Sequence, residues 1–140
     1  IKNAGKTVPE VVSIAPYFGH GLPDDVTVFQ DGRLAQSIVS SISMTNKCKV
    51  ICNQHNVKLN CYEGGQHLIP GVNVSRDSRM QAIYESYLRQ IKPIIGDQVF
   101  CHFTYTSNYG PHGSWGEKEY QFDQPSAKSR AVAQIISEQI

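Results

Sequence analysis

A dominant charge of either sign is missing from this chain. Thirteen Lys and Arg stand against twelve Asp and Glu, for a net charge of +1. Neither the basic footprint of a nucleic-acid binder nor the patch that an anionic membrane attracts is present. Long apolar runs are missing too. None approaches the ~18–20 residues that span a bilayer, so neither nucleic acid nor membrane is expected as a partner. The first residues, Ile1-Lys2-Asn3-Ala4-Gly5-Lys6, have no apolar core and do not form a signal peptide. They do not begin with Met either, and we expect residues upstream of Ile1. Internal repeats, low-complexity tracts, Gly-x-Gly-x-x-Gly and the Walker signature are absent, which excludes the usual nucleotide-binding α/β domains, and no cofactor is expected. Cysteine is sparse. Cys48, Cys52, Cys61 and Cys101 fall in segments that read as helix or strand interior, unlike the loop-borne cysteines of a small secreted scaffold. They read as unpaired buried thiols. The compartment stays open. Asn73-Val74-Ser75 is a glycosylation sequon that matters only in a chain secreted by a eukaryotic host.

What is present describes one globular domain: 140 residues, 40% hydrophobic and 18% charged. Residues 57–63 carry apolar side chains at alternate positions, Val57, Leu59 and Cys61, and end in Glu63 followed by Gly64 and Gly65. The alternation predicts a strand. The Gly pair permits backbone angles closed to other residues and lets another group approach closely. Glu63 is thereby presented at a strand end.

The remaining elements follow from patterning. A strand over about 8–17 starts after Pro9 and runs into the loop Tyr17-Phe18-Gly19-His20-Gly21. A helical pattern over about 32–55 has Leu34, Ile38 and Ile42 at four-residue intervals, Asp31 as N-cap and a weak stretch at Ser40–Asn46 that allows a break. The clearest helix covers 76–92, with Met80, Ile83, Tyr84, Tyr87, Leu88 and Ile91 on one stripe, Ser75 or Asp77 as cap and Pro93 as stop. A third strand is expected over 98–105. After a loop from Thr106 to Gln124, Pro125 opens a last helix over 125–138, with Ala131, Val132, Ile135 and Ile136 on its apolar face. Strands alternating with amphipathic helices predict an α/β fold of three parallel βα units.

In such folds the site gathers at the carboxyl ends of the strands. That face would collect Tyr17 and His20 from the first loop, and Glu63, Gln66 and His67 from the second. The third would add Tyr105, Asn108, Tyr109, His112, Trp115 and Glu117. Aromatic rings beside amides and carboxylates are what a sugar requires, since rings stack on its C–H face while polar groups bond its hydroxyls. Carbohydrate is therefore the expected partner. Two rival chemistries are weaker. Glu63 and His67 are four apart, with His20, His102 and His112 as further donors, but no His-x-x-x-His pair exists and no metal is expected. Strand alternation turns Cys61 to the core, which disfavours it as a nucleophile.

Three segments carry a family resemblance: Ile14-Ala15-Pro16-Tyr17-Phe18-Gly19, Tyr62-Glu63-Gly64-Gly65-Gln66-His67-Leu68, and Gly113-Ser114-Trp115-Gly116. In that order they resemble the last three βα units of (β/α)8-barrel proteins related to the large clan of retaining glycoside hydrolases. The resemblance implies that the chain is the C-terminal segment of a barrel. The rest would come from a missing N-terminal part or from another chain of an assembly. It implies Glu63 as nucleophile, Tyr17 as its hydrogen-bonding neighbour and Trp115 as the floor of a sugar subsite. His20, Gln66, His67, Tyr105 and Asn108 would line it. A retaining mechanism also needs a second carboxyl about 5–5.5 Å from the first. The clan takes it from the fourth strand, which this chain does not offer, and Glu117 and Glu119 beside Lys118 read as a solvated turn. The alternative is a structural or carbohydrate-binding protein that keeps the sugar face without turnover.

Overall fold

The computed structural model describes residues 7–138. Two short strands, β1 (Val11–Ile14) and β2 (Lys58–Cys61), pair in parallel with Val11 opposite Lys58 and Ile14 opposite Cys61. Between them run a 3-10 turn (Val26–Phe29) and a long helix, α1 (Arg33–Gln54). A short α2 (Val72–Arg76), then α3 (Met80–Ile95) and α4 (Ala127–Ser137) follow.

The expectation of three parallel βα units, and with it the barrel segment, is corrected here. Among the described residues the sheet has two strands, and the fold is a small α/β domain with four helices. The segment expected as a third strand runs beside β2 but meets it in one bridge, Cys61 with Phe100. Around that bridge Cys61 N–H donates to Val99 O and Cys101 N–H to Cys61 O, both at 2.9 Å. The reason lies just past β2, which is four residues long: the chain bends at Tyr62 and Glu63, and the next bond, Phe103 N–H to Gly64 O at 2.9 Å, is out of register with the ladder. A ladder needs repeated bonds along both partners. The alternation of Val99, Cys101 and Phe103 is real, but it leaves all three exposed.

The helices differ from their sequence patterns in detail. α1 is unbroken through Ser40–Asn46, where the buried Thr45 hydroxyl bonds back to Ser41 O at 2.9 Å. Its N-cap position is Gly32, while Asp31 accepts from Arg33 N–H. α3 begins later than its pattern suggests and carries Pro93 inside its last turn. The buried Ile94 and Ile95 hold that turn to the core, and Gly96 ends it. In α4 the Ser126 side chain is the cap, one residue after Pro125.

Met80, Tyr84, Tyr87 and Ile91 of α3 form one fully buried stripe. They pack with Leu34 and Ile38 of α1, Ala127 and Ala131 of α4, and Phe18, Leu68 and Val74. The core therefore lies against the loops that leave β1 and β2. Two of its residues are tyrosines, and their hydroxyls reach those loops.

Candidate functional site

The loops after β1 and β2 are fastened to each other. Phe18 N–H donates to Gly65 O at 3.0 Å, and His67 N–H to Phe18 O at 2.6 Å. They are also fastened to the core. The Tyr87 hydroxyl donates to Pro16 O at 2.5 Å, and the same carbonyl accepts from Ser41 Oγ at 2.9 Å. The Tyr84 hydroxyl accepts from Gln66 N–H at 3.0 Å and lies 3.0 Å from His102 Nε2. Residues 64 and 65 must be glycine for this to fit. A Cβ on Gly64 would stand 2.8 Å from the Phe100 ring, and one on Gly65 would stand 2.9 Å from the Tyr84 hydroxyl. Gly65 also has φ +134°, where a side chain is strained.

Glu63, half-buried, is set in the bend that this arrangement creates. Tyr17 is its neighbour. Burial, and then the charge and acceptor oxygens of Glu63, push the Tyr17 phenol up to about 12. Tyr17 therefore keeps its proton at neutral pH, beside the Glu63 carboxyl. His67 lies edge-on to Tyr17, with ring centroids 5.3 Å apart, and 5.1 Å from His20. Burial and then His20 lower the His67 pKa, against the opposing pull of Glu63, so its imidazole is neutral at pH 7. Trp115 lies 5.8 Å beyond His67, and Phe103 another 6.2 Å beyond Trp115. The structure thus brings Glu63, Tyr17, His20, His67 and Trp115 together along one row of rings.

Four of the other residues expected at the site lie elsewhere or are otherwise engaged. Gln66 is fully buried; its amide donates to Ser114 O, and its carbonyl oxygen accepts Leu68 N–H at 2.7 Å. Its place is beneath the surface. Tyr105 is exposed and flanks α4 beside Pro125 and Arg130. Asn108 is exposed on the long loop, and its side chain makes no hydrogen bond among the described residues. Glu117, expected on a solvated turn, is buried instead. Its Oε1 stands 3.0 Å from His102 Nδ1, off the line of the ring N–H, so that nitrogen is left without a hydrogen bond.

The sequence pattern does not disclose what four contributors do. Phe103 completes the ring row from a segment that reads as strand. Tyr84 and Tyr87 read as apolar stripe, and nothing local shows what their hydroxyls reach. Lys128 is fully buried and joins its ammonium to Ser114 O at 2.5 Å. Its spacing to Ala131 and Ile135 puts it on the buried face of α4, a signal that is legible in the sequence.

Among the described residues no group of three or more His, Cys, Asp or Glu is placed to hold a metal ion. No helix among them is long and apolar enough to cross a membrane. A partly buried carboxylate beside a phenol donor, at one end of a row of rings, can orient a polyol and stack on its apolar faces. No protein family model, no curated protein and no solved structure matches this chain.

Proposed function

We propose that this face binds a carbohydrate and that Glu63 is a carboxylate nucleophile of the kind used in retaining glycoside hydrolysis. One observation carries the reading: the Glu63 carboxylate, opposed by the protonated Tyr17 hydroxyl, stands at the head of the ring row His67, Trp115, Phe103. A nucleophile of this type must be ionised at working pH, and a phenol donor favours the ionised form. The rings offer faces to a pyranose whose anomeric carbon lies at the carboxylate.

A second reading, binding without turnover, is favoured by a separate observation. Retention needs a second carboxyl about 5–5.5 Å away. Among the described residues the one acidic side chain that acts on both Tyr17 and His67 is Glu63, whereas Glu117 lies buried against His102. Glu63→Gln separates the two readings. It keeps shape and hydrogen bonding but removes the charge that attacks the anomeric carbon. With activated aryl glycosides, turnover by the parent and a loss of several orders of magnitude in the variant support the nucleophile. Equal turnover by both proteins refutes it. Oligosaccharide binding by both without cleavage selects the binding reading. No binding and no cleavage by either refutes the carbohydrate site.

A further inference from the structure

We propose that Lys128 is a positioning residue for the Trp115 end of this site, acting through the Ser114 carbonyl. The assignment deepens the carbohydrate reading above, because it concerns the ring on which a sugar would stack.

Lys128 sits in the first turn of α4 with no exposed surface. Burying an ammonium is expensive, and an apolar side chain of similar length would fill the same space at less cost. The amine is nevertheless engaged in specific contacts. Its Nζ donates to Ser114 O at 2.5 Å and lies 4.4 Å from the centre of the Tyr109 ring, with Glu117 and Glu119 as the nearby anions. The Ser114 carbonyl also accepts from the Gln66 amide. One oxygen therefore joins three parts of the chain: the turn that carries Glu63, the turn that carries Trp115, and α4.

The position of that oxygen gives the contact its consequence. The Ser114 carbonyl belongs to the peptide plane that leads into Trp115, so fixing it anchors the N–Cα bond from which the indole is carried. The neighbouring contacts leave little freedom. Ser114 Oγ donates to Pro70 O at 2.8 Å, Thr104 N–H donates to Trp115 O at 3.3 Å, and the indole lies against Gly113 where a Cβ would collide with it. Gln66 holds the carbonyl from the Glu63 side and Lys128 holds it from the helix side. Loss of the Lys128 bond leaves Gln66 as the remaining donor, and the indole can then swing relative to His67 and Phe103.

Trp115 is the one tryptophan of the chain, so intrinsic fluorescence reports on this ring alone. The test compares the parent with Lys128→Met and Lys128→Gln, without ligand, by emission spectrum and acrylamide quenching, with far-ultraviolet circular dichroism as the control for folding. Lys128→Met should raise the quenching constant about two-fold or more and shift the emission, while Lys128→Gln, which retains an N–H donor, should fall closer to the parent. Should the Met variant fail to fold, a folded Gln variant with the parent's quenching still supports the donor role, and a folded Gln variant whose quenching constant rises about two-fold or more overturns it. Parent-like emission and quenching in a folded Lys128→Met also overturn the proposal. Binding of xylo- and cello-oligosaccharides, followed by the same fluorescence, tests the underlying reading separately. A change in the free variant with no sugar binding by the parent leaves the positioning role standing and removes the carbohydrate site. Sugar binding of equal affinity by parent and folded Met variant keeps the site and removes the role.

Discussion

Replacing Lys128 by Met should make the protein more stable at neutral pH and remove part of its pH dependence. Burial pushes the Lys128 ammonium down from its ordinary 10.5 to about 7, against the opposing pull of Glu117 and then Glu119. In the unfolded chain the same lysine remains protonated up to about 10.4. Between these values the unfolded state binds more protons than the folded one, so stability rises with pH there. The penalty is complete below the folded pKa and vanishes above the unfolded one. At pH 7 it amounts to about 4 kcal/mol relative to a lysine that titrates normally. Methionine matches the stem of the side chain and carries no charge. It gives up the bond to Ser114 O, a loss of about 1.5–3 kcal/mol, and the net gain at pH 7 is about 2 kcal/mol. The window must avoid other groups. His67, whose pKa is lowered, withdraws stability toward acid pH, and Cys61, pushed up to about 11, withdraws it toward alkaline pH as the unfolded thiol ionises. From about pH 7 to 8, below the range where the unfolded thiols of Cys52 and Cys61 ionise, Lys128 dominates, and the parent should gain about 1 kcal/mol while Lys128→Met stays nearly level. Urea unfolding followed by circular dichroism at several pH values measures both slopes. A parent profile that is level across this window refutes the argument, because it means the ammonium is solvated in the folded protein.

The other expectations concern the loops and the core. Alkaline titration of Tyr17, read by ultraviolet difference spectroscopy against a Tyr17→Phe control, should place its phenol near 12 in the parent and lower in Glu63→Gln, since that variant keeps the burial and removes the charge. An unchanged Tyr17 titration would show that the two groups do not sense each other. Gly65→Ala should cost about 1–3 kcal/mol in urea unfolding, as its φ of +134° and the Tyr84 hydroxyl both oppose a side chain. Tyr87→Phe should cost about 1 kcal/mol, because Ser41 Oγ still satisfies the Pro16 carbonyl. Adding Ser41→Ala should cost more than the two single changes together, since it strands a buried acceptor, and strict additivity in the double-mutant cycle would refute the shared bond. Met80→Ala, at a fully buried position of α3, should cost about 2–5 kcal/mol.

The parts of this molecule that can be read from the chain are those whose cause is local. The α3 stripe is visible because the spacing of Met80, Tyr84, Tyr87 and Ile91 states which face is buried. The turn at Glu63-Gly64-Gly65 is visible because two adjacent glycines mark a close approach. What is not visible depends on partners far along the sequence. Gln98–Tyr105 has the composition of a strand, but a strand exists only through its neighbour, and β2 ends too soon to extend one bridge into a ladder. Gln66 and Tyr105 are both polar residues near a strand end, and sequence alone does not show that one is spent on the Ser114 carbonyl while the other faces α4. Lys128 has legible burial but no legible partner, which stands fourteen residues earlier.

Tyr84 and Tyr87 couple two properties that many proteins keep apart. Their rings fill the centre of the core while their hydroxyls hold the two turns that present Tyr17 and Glu63. Rearrangement of the α3 packing therefore moves the face proposed to bind a ligand, and mutational drift in the interior is not silent at the surface. Under laboratory selection for altered ligand preference, compensating changes are to be sought along α3 and its neighbours in α1 as much as among the exposed rings. Stabilising substitutions chosen for the core should be screened for their effect on recognition before they are combined.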